Sequence, residues 1–428
     1  MEHIFVRGGK ALSGVVEIGG SKNDALAILV GAILVPGVSI LHNVPVNTDI
    51  HNLLNIFRQM GVQANFTSSN TLELDASNLT TSETPHDLVR QMRASFNLLG
   101  AIMARFGHAE VAMPGGCNIG ARPVNFHIEG LRQLGAEFTL EHGVYHGKVD
   151  RFLGADINLE FPSAGTTQHL MIAATCAMGT TTIGNCAAEP EVVNLAEFLN
   201  ACGAKITGVG TSVIVIEGVQ SLHPTEFSIL PDRMQAGTYA VAAAISGGDV
   251  FLKHAIYDHS RHLFSKMLDA GIQIDAELDG IRVKRNANTI LPVDFKTMPH
   301  PGFPTDMQPI LATMLTIGDG TSVVTETIYE NRFRFTMELA KMGADVRISG
   351  RNAIITGVKR LSGAPVVSPD LRGGAALVIA GLVAEGVTEI SDLHHIDRGY
   401  ENLVGNLQHL GADIDRLTIK EGNIPCSV

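Results

Sequence analysis

The stretch EFLNACGAKITG, residues 197–208, holds two structural signals that meet at Gly203. Its first half continues an amphipathic helical pattern, while Lys205-Ile206-Thr207 alternates as a strand does. A glycine at the join fits a helix C-cap, where the chain turns through a positive φ that other residues adopt only at a cost. The join recurs at Phe57-Arg58-Gln59-Met60-Gly61-Val62, Leu131-Arg132-Gln133-Leu134-Gly135-Ala136, Leu268-Asp269-Ala270-Gly271-Ile272, Ala340-Lys341-Met342-Gly343-Ala344 and Gln408-His409-Leu410-Gly411-Ala412. Successive glycines are 74, 68, 68, 72 and 68 residues apart, so six units of about 70 residues fill the chain.

Ahead of the amphipathic helices lie more apolar ones, as at 25–34, 170–177, 236–245 and 375–383. A helix apolar all round has to be interior. Each unit reads as strand, apolar helix, strand, amphipathic helix, strand. The fold this predicts is α/β: a two-domain inside-out α/β barrel built from six βαβαβ-like repeats. One domain should span 22–229 and carry the loop around Cys117. The other should join 1–21 to 230–428, because the sixth unit needs a partner for its last strand.

Composition narrows the function. The 428 residues are 45% hydrophobic and 17% charged, with a formal net charge of −12. That balance argues against nucleic acid as a partner, which demands a basic face. Residues 1–7 do not read as a leader, and the uncharged run 25–43 is broken by Pro36-Gly37, so no membrane partner is expected. The five cysteines form no CxxC pair, which suits a reducing cytoplasm. The histidines, His394-His395 included, show no ligand spacing, and neither a metal nor a redox cofactor is expected.

A small anion remains possible where cations cluster locally. Polar groups open the apolar helices: Ser21-Lys22-Asn23-Asp24, Met92-Arg93-Ala94-Ser95, Ser163-Ala164-Gly165-Thr166, Asp232-Arg233-Met234, Thr305-Asp306-Met307 and Asp370-Leu371-Arg372-Gly373. Helix N-termini carry unpaired N–H groups and suit phosphate or carboxylate. Thirteen residues before each repeat glycine stand Thr48, Arg122, Pro190, Asp258, Glu330 and Arg398, which makes Arg122 and Arg398 equivalent, with Arg332 two residues past Glu330. Any one of these arginines reads equally well as a surface ion pair. As a set, Lys22, Arg93, Arg122, Arg332, Arg372 and Arg398 read as an anion pocket in a cleft between domains. MPGGCNIGARP, residues 113–123, adds a thiol in a glycine-rich turn near cations, conditions that lower a thiol pKa and allow it to act as acid or nucleophile.

Several stretches are specific enough to name a family: Ser21-Lys22-Asn23, Met92-Arg93-Ala94-Ser95, Pro114-Gly115-Gly116-Cys117, Ile119-Gly120-Ala121-Arg122-Pro123, Pro190-Glu191, Leu230-Pro231-Asp232-Arg233, Phe303-Pro304-Thr305-Asp306-Met307-Gln308, Glu330-Asn331-Arg332-Phe333, Asp370-Leu371-Arg372 and His395-Ile396-Asp397-Arg398-Gly399-Tyr400. Over essentially its whole length the chain resembles the UDP-N-acetylglucosamine 1-carboxyvinyltransferases. It is also similar in expected fold to the shikimate-phosphate enolpyruvyl transferases, which lack the Cys117 loop. The resemblance implies transfer of the enolpyruvyl group of phosphoenolpyruvate to a sugar 3′-hydroxyl, by addition and then elimination of phosphate.

By the same resemblance, Cys117 sits on a mobile lid, can form a covalent adduct with phosphoenolpyruvate and serves as proton donor or in product release; Asp306 is the base toward the acceptor, and Asn23 hydrogen-bonds the same region. Lys22, Arg122 and Arg398 hold the phosphate of phosphoenolpyruvate, while Arg332 and Arg372 hold its carboxylate. Asn23, Arg93, Arg122, Pro123, Val124, Asn125, Ser163, Ala164, Gly165, Asp306 and Ile328 line the acceptor site. The partners implied are two small molecules, phosphoenolpyruvate and a nucleotide sugar. Asp306 also reads as a helix N-cap, and His127 as a structural histidine.

Three positions depart from the family pattern: Thr48 and Phe161 stand where lysines are usual, and Asn125 where aspartate is usual. They leave open a paralogue with another nucleotide or nucleotide sugar as acceptor. A silent nucleotide-sugar-binding regulator is disfavoured by the retention of Cys117, Asp306 and the arginines.

Overall fold

The computed structural model describes residues 1–90, 92–115, 119–120, 124–286 and 289–419. Six buried helices lie at the centre of two halves. The first half holds α1 (Lys22–Ala32), α2 (Leu98–Phe106) and α3 (Ala164–Ala174). The second holds α4 (Arg233–Ser246), α5 (Gln308–Leu315) and α6 (Leu371–Gly381). Their lack of polar faces explains the placement: every residue from Met234 to Ile245 of α4 is buried, as is every residue from Arg372 to Gly381 of α6. Helices α4, α5 and α6 pack against one another, and α2 lies between α1 and α3.

Four of the six start with a side-chain cap, from Ser21, Ser163, Asp232 and Asp370, which accept backbone N–H groups that the helix itself cannot pair. The other two, α2 and α5, follow 3₁₀ turns at Arg93–Asn97 and Thr305–Met307. Asp306 therefore sits inside a turn whose N-cap is Pro304, and the N-cap reading of its carboxylate gives way to a different use.

Sheets wrap the helices. In the third repeat the order is Lys205–Thr207, Val213–Glu217, Thr180–Gly184, Asp156–Asn158. The last pair is parallel across α3 and the others are antiparallel. The single strand read after each glycine is thus a hairpin, and the repeat is βαβαββ; the 205–217 hairpin turns through Gly208 and Gly210, both at positive φ. All six repeat glycines adopt φ between 88° and 99°. Among the described residues the six sheets stay separate and none closes on itself.

The repeats are completed by strand exchange. Glu226–Ser228, at the end of the first half, pairs with Val38–His42 at its beginning. Ser13–Glu17 pairs with Asp249–Lys253, and Glu2–Arg7 is inserted between Val387–Ser391 and Asp413–Thr418. Buried apolar side chains form two clusters, one from residues 25–229 and one from residues 4–18 and 234–414. The chain crosses between them at Gly20 and Pro231, which face each other in an antiparallel bridge. A Cβ on Gly20 would lie 1.7 Å from the Asn43 carbonyl oxygen, so only glycine fits this crossing.

Candidate active site

Between the halves the cations are held in pairs, each pair by one carboxylate. Asp49 belongs to the helix Thr48–Gln59, which Asn47 caps by accepting the Ile50 N–H at 3.1 Å. The Asp49 side chain is buried. Lys22, the first residue of α1, donates to it at 3.0 Å, and Arg398 donates from the opposite half at 2.9 and 3.5 Å. Burial by itself would raise the Asp49 carboxyl, but Lys22 and Arg398 outweigh burial and hold it below its ordinary value.

Asp306 does the same for a second pair. Arg332 donates to one oxygen at 2.9 Å and Arg372 to the other at 3.2 Å. Both arginines are at most 3% exposed. Each keeps a buried donor with no hydrogen-bond partner among the described residues, Nε of Arg332 and Nη1 of Arg372. A buried, unpaired guanidinium N–H is costly, so these two donors call for an acceptor. Arg372 also lies over the Tyr400 ring, 5.2 Å from its centroid. Burial opposes its charge, but Tyr400, Asp306 and Asp232 more than restore it.

Contacts that span the halves include the Asp49–Arg398 pair, a bidentate Glu191–Arg233 pair at 2.8 and 3.2 Å, Val46 N–H to Glu401 at 3.0 Å, and Asn331 N–H to the Ile119 carbonyl at 3.0 Å. Arg233 therefore braces the halves and is committed to Glu191. The Ile119 contact brings the described end of the 113–124 loop against the second half. Gly120 there has φ 147°, and a Cβ on it would lie 2.6 Å from a Glu330 carboxylate oxygen. Cys117, Arg122 and Pro123 lie outside the described residues.

The acceptor-side candidates gather around the first turn of α3. Ser163 caps it by accepting the Thr166 N–H at 3.3 Å, and Ala164 and Gly165 form the turn itself. Val124 is buried at the start of the helix Asn125–Gln133, Asn125 and Asn23 are exposed, and Arg93 opens the turn before α2. Of the departures, Thr48 and Phe161 are exposed, and Phe161 adjoins the Ser163 cap through its carbonyl. A groove of about 710 Å³, lined in part by Asn125, Phe126, Tyr145 and Glu160, borders this side and lies away from the paired cations. Ile328 donates its N–H to Glu326 at 2.8 Å.

Three carboxylates have no role assigned from the sequence. Asp49 stands one residue past Thr48, and Glu191 one past Pro190, each beside a repeat-matched position that carries no charge. Glu326 is 1% exposed and accepts from Thr297, Thr305, Ile328 and Tyr329, so it ties the Asp306 turn to the Ile328 segment. Its Thr325-Glu326-Thr327 setting reads as an ordinary strand end and carries no local signal. His127 is buried behind the α3 turn and bonded to His169.

A family model for EPSP synthase (3-phosphoshikimate 1-carboxyvinyltransferase) matches residues 6–407. The chain is 48% identical over 417 residues, 97% of its length and 100% of the relative's, to UDP-N-acetylglucosamine 1-carboxyvinyltransferase 3 of Caldanaerobacter subterraneus subsp. tengcongensis. It is 46% identical over 423 residues, 98% of its length and 96% of the relative's, to UDP-N-acetylglucosamine 1-carboxyvinyltransferase 1 of Halalkalibacterium halodurans. Among solved structures, the enolpyruvyl transferase NikO from Streptomyces tendae aligns with a TM-score of 0.88 at 25% identity, over 98% of this chain and 99% of that one. EPSP synthase from Acinetobacter baumannii aligns with a TM-score of 0.76 at 17% identity, over 97% and 100%, a likeness of fold.

Proposed function

The chain belongs to the EPSP synthase family of carboxyvinyltransferases, and we propose that it moves the enolpyruvyl group of phosphoenolpyruvate onto the 3′-hydroxyl of UDP-N-acetylglucosamine, releasing phosphate for peptidoglycan precursor synthesis. One observation carries the anion half of this reading: Arg332 and Arg372, both buried, share Asp306 and each still has a donor unpaired among the described residues. Two guanidinium forks with free N–H groups suit a small carboxylate. The full-length likeness to UDP-N-acetylglucosamine 1-carboxyvinyltransferases supports the acceptor.

In this reading the phosphate of phosphoenolpyruvate takes Lys22, Arg398 and Arg122. The carboxylate takes Arg332 and Arg372. The sugar oxygen bonds to C2 of phosphoenolpyruvate and its proton passes to Asp306, while the methylene carbon gains a proton from Cys117. Loss of that carbon's proton then expels phosphate and restores the double bond. Positioning and charge neutralisation supply most of the acceleration. Asn23, Arg93, Pro123, Val124, Asn125, Ser163, Ala164, Gly165 and Ile328 line the acceptor side. The cytoplasm, where nucleotide sugars and free thiols coexist, is the proposed location; no helix among the described residues is long and apolar enough to cross a membrane. A reactive Cys117 also makes the protein a target for epoxides such as fosfomycin.

The test is phosphate release from phosphoenolpyruvate with UDP-N-acetylglucosamine, followed by mass spectrometry of the product. Phosphate together with an enolpyruvyl-UDP-N-acetylglucosamine mass supports the proposal. A folded protein that binds phosphoenolpyruvate but does not turn over refutes the acceptor, and points to Thr48, Asn125 and Phe161 as marks of another nucleotide.

A further inference from the structure

Two histidines stand behind the first turn of α3, apart from the paired cations. His127 lies on the helix Asn125–Gln133 and His169 on α3, and they are 6% and 0% exposed. Their Nδ1 atoms are 2.9 Å apart. One Nδ1 carries the hydrogen and the other accepts it, because two lone pairs or two N–H groups would repel. The surroundings decide which. The Nε2 of His169 is 2.8 Å from the Gly100 backbone nitrogen, which can only donate. That N–H belongs to the first turn of α2, where donors lack a partner in their own helix. His169 Nε2 is therefore bare and its Nδ1 holds the hydrogen. His127 Nδ1 accepts it, which leaves the His127 proton on Nε2. Burial keeps both rings neutral. It pushes His169 down to about 3, and it takes His127 well below its usual value, with His169 and Arg93 adding to the effect.

The relay runs from the Gly100 N–H through His169 to His127 and leaves the remaining His127 hydrogen on Nε2. The His127 ring faces the α3 turn: a Cβ on Gly165 would lie 3.6 Å from His127 Cε1 and 3.9 Å from its Nε2. The Cε1–Nε2 edge of a buried ring thus borders a helix N-terminus whose own N–H groups favour an anion. We propose that His169 is a positioning residue, which fixes His127 as an Nε2–H donor to an anionic oxygen of the nucleotide sugar at the α3 N-terminus. The inference rests on the acceptor proposed above. Without His169, the His127 ring is free to carry its proton on Nδ1 and to present a lone pair to that oxygen.

Two experiments test it together. Nuclear magnetic resonance of protein labelled with ring-¹⁵N histidine should show His127 protonated at Nε2 alone and His169 at Nδ1 alone. In steady-state kinetics, His169→Leu should raise KM for UDP-N-acetylglucosamine about tenfold, the weight of one hydrogen bond to a charged group. KM for phosphoenolpyruvate and kcat should stay unchanged. His169→Asn puts an amide donor at the Nδ1 position and should recover most of the loss. His169→Gln reaches toward Gly100 instead and should not. A His127 ring protonated at Nδ1, a His169→Leu variant with unchanged KM, or equal behaviour of the Asn and Gln variants overturns the inference. If calorimetry shows that the unmodified protein binds neither UDP-N-acetylglucosamine nor UDP, the acceptor proposal has failed and takes this inference with it. Normal binding with a silent His169→Leu variant removes the inference alone.

Discussion

Replacing Asp49 with asparagine separates two effects that usually coincide. The carboxylate neutralises Lys22, 13% exposed, and Arg398, 36% exposed, while itself 2% exposed. Breaking a buried ion pair by removing one partner costs roughly 3–5 kcal/mol. Arg398 is more than a third exposed, so solvent screens its share, and the asparagine oxygen can still accept one bond. A loss of about 2–3 kcal/mol follows for the ligand-free protein. At roughly 2–4 °C per kcal/mol for domains of this size, Tm should fall by about 4–12 °C. The ligand effect runs the other way. In Asp49→Asn the phosphate of phosphoenolpyruvate becomes the sole counter-charge for both cations. Saturating phosphoenolpyruvate should therefore raise Tm by more in the variant than in the unmodified protein, where about 2.7 kcal/mol accompanies a hundredfold excess over Kd. Thermal melts with and without phosphoenolpyruvate measure both quantities. The pH dependence has a fixed sign. The Asp49 carboxyl is depressed in the folded state, so its contribution is present above the unfolded value of about 4 and disappears as pH falls through the folded one. The deficit of the variant should shrink below about pH 4. Equal Tm for the two proteins at pH 7, or an equal rise with phosphoenolpyruvate, refutes the assignment of Lys22 and Arg398 to a shared anion site.

Three further outcomes are expected. Asp306→Asn should lower kcat by about 10²–10⁴ with an unchanged circular dichroism spectrum, the range for loss of a general base; near-normal kcat would remove Asp306 from proton transfer. Glu191→Gln leaves Arg233 buried without its charge partner and should cost about 3–5 kcal/mol in denaturant unfolding, while the double change Glu191→Leu with Arg233→Met should regain most of it; a single variant as stable as the parent would show that the brace between the halves is dispensable. Gly120→Ala forces a Cβ to within 2.6 Å of Glu330 at a φ of 147° and should reduce kcat roughly 10- to 100-fold with little change in Tm; unchanged kcat would mean that the contact of this loop with the second half plays no part in turnover.

The repeat was legible because its signal is local. A glycine that closes a helix needs a positive φ, and each of the six glycines at 61, 135, 203, 271, 343 and 411 has one. The interior helices were legible for a related reason: 236–245 has no polar face to turn toward water. The hairpins were half visible: Lys205–Thr207 alternates, whereas Val213–Glu217 is, but for its last residue, a run of β-branched apolar residues that periodicity alone does not assign to a strand. The cations were legible as a set, but which carboxylate each would meet was not. Asp49, Asp306 and Glu191 reach Arg398, Arg372 and Arg233 over sequence separations of 349, 66 and 42 residues, and no local pattern carries such information. Asp306 was identified through a motif as a base toward the acceptor, with an N-cap as its second reading, and its turn leaves the carboxylate to bridge two arginines. His169 was invisible for the opposite reason. It sits in the middle of a helix whose apolar neighbours announce only burial.

The inserted strand Glu2–Arg7 sets an order on the birth of the molecule. Ile4 and Val6, each at most 1% exposed in the finished sheet, leave the ribosome long before the strands that flank them, Val387–Ser391 and Asp413–Thr418. The first half has every strand of its sheets once residue 228 has emerged, so it can fold on a contiguous stretch. The N-terminal segment meanwhile waits as an apolar strand with both edges bare, a state open to mispairing or capture by a chaperone. The sheet thus closes late: residues made early enter it between two strands made much later.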